Sequence, residues 1–111
     1  MKSVLQNPKI IAVDFDGTIT KSDAWPEVGE INEKVVKRLR EEKEKGSIII
    51  LWTCRHGKQL EEALEFCKKN NILIDYCNRN ADWVKEEFEG CSRKIFAHEY
   101  WDDKSVNVKD L

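Results

Sequence analysis

Apolar and polar positions alternate between two periodicities along this chain. Residues 10–13 (IIAV) and 48–52 (IIILW) are unbroken apolar runs, the pattern of strands buried on both faces of a parallel sheet. They predict a first strand over residues 9–14 and a second over 47–52. Ile31, Val35, Val36 and Leu39 recur at helical spacing and predict a helix over 31–45 that stops at Gly46. The charge run RLREEKEKG within it reads as that helix's solvated face. Leu60, Ala63, Leu64 and Cys67 share one side of a second helix over 58–69, closed by Asn70 and Asn71. A third strand is predicted over 72–76. A short helix follows over 81–89, with Trp83, Val84 and Phe88 inward and Gly90 as its stop, and then a fourth strand over 95–101. His98 and Glu99 are polar for a buried strand, so the pattern leaves that strand's edge undefined.

Strands alternating with helices predict an α/β fold with a mainly parallel sheet and right-handed crossovers. In such a sheet Asp14, Thr53 and the Asp102/Asp103 pair each end a different predicted strand at its carboxyl end. They would therefore meet along one rim, at the switch point where open α/β sheets build their sites.

The length of 111 residues allows one domain with one core. Apolar residues at 41% and interspersed charged residues at 36% are those of a globular chain. A formal net charge of −2 offers no general basic field, so nucleic acid is not indicated as a partner. No apolar run approaches a membrane span, and MKSVLQNPK lacks the apolar core of a secretory signal, so the expectation is a cytoplasmic protein without a membrane partner. Cys54, Cys67, Cys77 and Cys91 form no CxxC pair and read as free thiols, not as a zinc site. A phosphatase built on the Cys54 thiol would need an arginine several residues on, where the chain has Leu60.

Chemistry concentrates in DFDGT, residues 14–18. Two carboxylates one residue apart repel unless a cation or a proton lies between them, so the spacing asks for a metal or for separate nucleophile and acid roles. Gly17 supplies the tight turn that leaves the sheet. With an apolar strand delivering Asp14, the pattern points to phosphoryl transfer.

These motifs, in this order, resemble the haloacid dehalogenase (HAD) superfamily of phosphohydrolases over almost the whole chain. DxDGT after a strand is Asp14 to Thr18, the strand ending in threonine is IIILWT with Thr53, and KIFAHEYWDDKS is similar to the compact form in which a lysine, a short strand and an acidic pair follow closely, giving Lys94, Asp102 and Asp103. The resemblance implies a three-layer Rossmann-like HAD fold and a Mg²⁺-dependent phosphatase acting on a phosphorylated substrate. Asp14 would attack phosphorus and form an aspartyl phosphate, and Asp16 would serve as acid and base. Asp14, the backbone carbonyl of Asp16 and one of Asp102 and Asp103 would bind Mg²⁺, Asp103 being preferred for direct contact. Thr53 would donate to a phosphoryl oxygen, with the amides of Cys54 and Arg55 as further donors. Lys94 would supply positive charge; Lys85 competes for that role but sits on a predicted helix facing solvent.

Family members with a cap insert it after the first motif or before the lysine, and here both places are short. A site without a cap draws specificity from the loop over 22–29, from the Arg55/His56 turn or from a neighbouring subunit, which leaves a homo-oligomer open. Arg55 and His56 suit substrate contact or an incidental exposed pair, and Trp25 suits a lid or a core plug. The competing function is a non-enzymatic, receiver-like or interaction module. A receiver places its acidic pair after the first strand and its phosphoacceptor after a later one, the reverse of the order here.

Overall fold

The computed structural model describes residues 7–88, 90 and 92–111. Cys91, residue 89 of the predicted third helix and the first six residues of the chain lie outside the described residues. Four strands, β1 (Ile10–Val13), β2 (Ile48–Leu51), β3 (Tyr76–Cys77) and β4 (Glu99–Trp101), form one sheet in the order β3-β2-β1-β4, and every pairing is parallel. Helices α1 (Glu33–Glu44), α2 (Gly57–Lys69) and α3 (Asp82–Glu87) occupy the connections. The fold is α/β and Rossmann-like.

The two apolar runs are buried for the reason their pattern implies. Ile11, Val13, Ile49 and Leu51 pack with Val36 and Leu39 of α1 and Ala63 and Cys67 of α2. Ile10, Ala12 and Ile50 pack with Ala81, which precedes α3, with Val84 of α3 and with Ile95. Alternate residues of a strand face opposite ways, so a strand covered on both sides must be apolar throughout.

The expected solvated face of α1 has one exception. Glu42 is buried, accepts from Ser47 Oγ at 2.8 Å and lies 3.3 Å from Lys9 Nζ, and these partners hold its carboxyl below the usual range against the opposing effect of burial. Between β1 and α1 stands one loop, closed at its base by the antiparallel Thr20–Ile31 bridge and by hydrogen bonds from Lys21 N to Glu30 O and from Asn32 N to Ile19 O. No cap domain intervenes there.

Strands β3 and β4 are shorter than predicted, and for the same physical reason. The expected strand over 72–76 begins only at Tyr76, because the Asp75 carboxylate accepts from Ile49 N at 2.8 Å while Asp75 N donates to Ile49 O at 2.9 Å. The expected strand over 95–101 begins only at Glu99, because His98 Nδ1 accepts from Ile10 N at 2.8 Å while His98 N donates to Ile10 O, also at 2.8 Å. Each edge strand thus starts with a side chain standing where a ladder carbonyl would be. Among the described residues no helix is long and apolar enough to cross a membrane.

Candidate functional site

The strand order reverses direction between β1 and β4, and the carboxyl ends of these two strands hold the acidic residues. Asp14 follows β1 directly, its amide donating to Trp101 O at 2.9 Å, which ties it to the end of β4. Asp102 and Asp103 come next in the chain. One carboxylate oxygen from each of Asp14, Asp102 and Asp103 lies within 4.8 Å of the others. Two oxygens on opposite sides of a Mg²⁺-sized ion are about 4.2 Å apart, so this all-oxygen set suits a hard divalent cation after small adjustments.

Gly17 makes the approach possible. Its φ of +81° is a left-handed conformation, and a Cβ there would stand 2.5 Å from Asp103 Oδ2. Burial, and next the charge of Asp102, push the Asp14 carboxyl up to about 6 despite a hydrogen bond from the Phe15 amide. A proton or a cation satisfies such a group.

A cavity of about 420 Å³ opens here, lined by Asp14, Asp16, Asp23, Asp102 and Asp103 together with Trp25, Thr53, Cys54, Arg55 and Lys104. Thr53 leaves the end of β2 and is held by Asn78, which follows β3 with φ +54°. Asn78 Oδ1 accepts from Thr53 N at 2.8 Å and its Nδ2 donates to Thr53 O at 2.9 Å. Thr53 Oγ1 accepts from Arg55 N at 3.1 Å. The Arg55 amide is therefore used within the turn and does not serve as the expected extra donor to a phosphate.

Two further expectations are corrected. Arg55 is buried and not an incidental exposed residue, although it lines the cavity: its Nε and Nη2 each lie 2.7 Å from an oxygen of Asp16, and further N–H groups reach the carbonyls of Pro26, Glu27 and Gln59. Hydrogen bonding to Asp16 raises the affinity of this guanidinium for its proton, against the cost of burial. Lys94 lies outside the acidic cavity and lines a separate one beside β4 with Trp52, His98 and Trp101. Ile95 next to it is anchored in the core on the α3 side, which draws Lys94 to that side of the sheet.

The lysine in the acidic cavity is Lys104. Its Nζ lies 3.4 Å from Asp103 Oδ2, and its amide donates to Asp102 Oδ1 at 2.8 Å. The Asp103 charge raises its proton affinity. Its signal in the sequence was adjacency to the acidic pair. Of the two roles open to Trp25, lid or core plug, the plug is excluded: it is 52% exposed, lines the cavity and its ring lies 5.3 Å from the Arg55 guanidinium carbon. Asp23, also missed, accepts from Trp25 N at 3.1 Å and shapes that loop. His56 is exposed and does not line the cavity. Cys54, Cys67 and Cys77 are free thiols, and burial pushes Cys67 up to about 12, so it is inert as a nucleophile.

No protein-family model matches the chain, and no curated protein matches it. A solved structure does, described as that of a conserved protein coded by a locus from Bacteroides thetaiotaomicron: the two are 36% identical, with a TM-score of 0.78 over 90% of this chain and 79% of that one. With a Rossmann-like fold shared at that identity over most of both chains, this protein belongs to the same family as the conserved protein from Bacteroides thetaiotaomicron.

Proposed function

We propose that the chain is a cytoplasmic, Mg²⁺-dependent phosphatase of the haloacid dehalogenase type, which hydrolyses a phosphomonoester through an aspartyl phosphate. The observation that carries this reading is the convergence of Asp14 with Asp102 and Asp103 from the far end of the chain. A half-buried Asp14 whose carboxyl is pushed up to about 6 marks a place where charge compensation is wanted.

The cavity sets five carboxylates against one guanidinium and one ammonium. A phosphate dianion is repelled from such a pocket unless a divalent cation offsets part of that charge. Asp14, one of Asp102 and Asp103, and the carbonyl of Asp16 would hold a Mg²⁺, which would supply that countercharge and polarise the phosphoryl oxygens. The chain's own groups do the rest. Asp14 attacks phosphorus, which converts one hard displacement into two easier ones. Thr53 has its oxygen occupied by the Arg55 amide, and its O–H is left to hold a phosphoryl oxygen. Lys104 brings an ammonium to the cavity in place of Lys94. Asp16 is the remaining carboxylate of the turn and the group for proton transfer.

The test is phosphate release with Mg²⁺ over a panel of sugar phosphates, nucleotides and aryl and acyl phosphates, run beside Asp14→Asn. The near-isosteric variant is expected to keep its circular dichroism and lose at least about 1,000-fold in turnover. Equal turnover in the two proteins would remove Asp14 as nucleophile, and the reading with it.

A further inference from the structure

Trp25 stands half exposed on a loop that is tied down at several points. At the base of the loop lie the Thr20–Ile31 bridge and the bond from Lys21 N to Glu30 O. Its two arms meet closely, since a Cβ on Gly29 would stand 2.9 Å from Ser22 O. Asp23 Oδ1 accepts from Trp25 N at 3.1 Å, and on the other side of the tryptophan Arg55 donates to the carbonyls of Pro26 and Glu27. The Arg55 guanidinium carbon lies over the indole at 5.3 Å and over the Phe15 ring at 5.1 Å. A cation is attracted to the negative face of an aromatic ring, so this contact fixes the indole plane while 52% of the residue stays exposed at the cavity. Covering the rest of such a ring yields binding energy without the cost of ordering a loop.

The polar groups that line the cavity are already engaged. Asp14, Asp102 and Asp103 form the cluster proposed to hold the ion, and Lys104 lies against Asp103. Both Asp16 oxygens accept from Arg55, and Thr53 Oγ1 accepts from the Arg55 amide. What remains for the part of a substrate beyond its phosphate is the indole, beside the small Cys54 side chain. Five carboxylates also repel a second anionic group there, whereas a neutral ring meets no such penalty. We infer that Trp25 is a stacking platform whose face turned from Arg55 receives a planar ring of the substrate, so that the site selects phosphomonoesters carrying a neutral aromatic or heteroaromatic ring over those of sugars and open-chain alcohols. The inference rests on the phosphatase reading and narrows its substrate class. A cavity of about 420 Å³ is of the size that takes up a small molecule of this kind. The ring contact lies away from the reacting phosphorus and is made equally before and during the reaction, so it acts on KM and not on kcat.

The experiment compares kcat and KM, with Mg²⁺, for adenosine 5′-monophosphate, benzyl phosphate and ribose 5-phosphate in the wild-type protein, Trp25→Ala, Trp25→Leu and Trp25→Phe. Each compound releases a primary alcohol, so the reacting bond is alike and the ring is the difference. Stacking on an aromatic side chain is worth about tenfold to 100-fold in affinity, so the wild-type protein is expected to favour at least one ring-bearing compound over ribose 5-phosphate by about tenfold or more in kcat/KM. A preference for the nucleotide alone identifies a nucleobase as the ring, and one that includes benzyl phosphate shows that a ring suffices. That preference is expected to fall about tenfold in Trp25→Ala and Trp25→Leu, through KM, and to stay within about threefold of the wild-type value in Trp25→Phe, which keeps an aromatic face. Leucine fills space without such a face, and it decides the matter if the alanine variant does not fold. Turnover of phosphomonoesters with no preference for either ring-bearing compound overturns the proposal and leaves the phosphatase reading standing. So does a preference unchanged in a folded Trp25→Leu, which is the result of a Trp25 that only covers Arg55. Release of phosphate from no phosphomonoester at all would instead overturn the phosphatase reading itself.

Discussion

Gly17 shows how far one residue can decide this site. Its positive φ already disfavours a side chain, and the space a Cβ would need is taken by the Asp103 carboxylate. Gly17→Ala is expected to cost about 1–3 kcal/mol in urea unfolding, from left-handed backbone strain and the displacement of Asp103. It should also weaken stabilisation by Mg²⁺, because Asp103 is one of the three clustered carboxylates; an alanine protein with unaltered Mg²⁺ response would show that Asp103 does not need this approach. Its neighbour Thr18 presents the opposite case. The Thr18 hydroxyl is buried with no hydrogen-bond partner among the described residues, and burying such a group carries a cost that a methyl does not. Thr18→Val is expected to leave unfolding stability equal or raise it by about 1 kcal/mol, and a clear loss would reveal a partner for that hydroxyl.

At the scale of elements, the two central strands and the long helices were legible because burial on both faces and one-sided burial leave different periodicities. IIAV and IIIL became β1 and β2 in register, and α1 and α2 lie within a residue or two of their predicted spans. The edge strands were not legible, since Asp75 and His98 begin them through side-chain acceptors that no hydrophobic pattern encodes. The site divides in the same way. Asp14, Thr53, Asp102 and Asp103 could be placed because each follows an apolar run and a parallel sheet brings such ends together. Arg55 could not, because a single charged residue in a loop carries no sign of the carboxylate it will meet, and Lys94 misled because its position depended on where β4 begins. The side-chain starts are themselves testable. Asp75→Ala and His98→Ala each leave a strand amide without its acceptor, Ile49 N in one case and Ile10 N in the other, and each is expected to cost about 1–3 kcal/mol. The two side chains stand at opposite edges of the four-stranded sheet, but the amides they satisfy belong to the paired strands β2 and β1, where Ile10 is opposite Ile48, about 5 Å apart at the usual strand spacing. The double variant should therefore depart from the sum of the two by at least about 0.5 kcal/mol, and a loss equal to that sum in urea unfolding would mean that the two edges act independently.

For the whole molecule, parallel topology concentrates acidic charge at one rim while the chain as a whole is nearly balanced, at a formal net charge of −2. The cost falls on Asp14, whose carboxyl is pushed up to about 6 by burial and then by Asp102. Between the unfolded value of 3.8 and the folded value of about 6 the native state holds a proton that the unfolded chain has released. Stability from this group is thus fully present below the unfolded value and is lost as pH rises through the folded one. A divalent cation held by the proposed site would bind the ionised cluster, so it would compete with that proton and restore stability on the alkaline side. Thermal unfolding with and without Mg²⁺ is therefore expected to show a small increment at pH 5 and a larger one at pH 7.5, approaching about 2.7 kcal/mol when the ion stands a hundredfold above its dissociation constant. Asp14→Asn removes both the strained carboxylate and a proposed ligand. Its metal-free form should be more stable than the wild-type protein at pH 7.5 and should respond little to Mg²⁺ at either pH. An increment that is the same at both pH values, or that survives intact in Asp14→Asn, would place the ion elsewhere than the rim where β1 and β4 end.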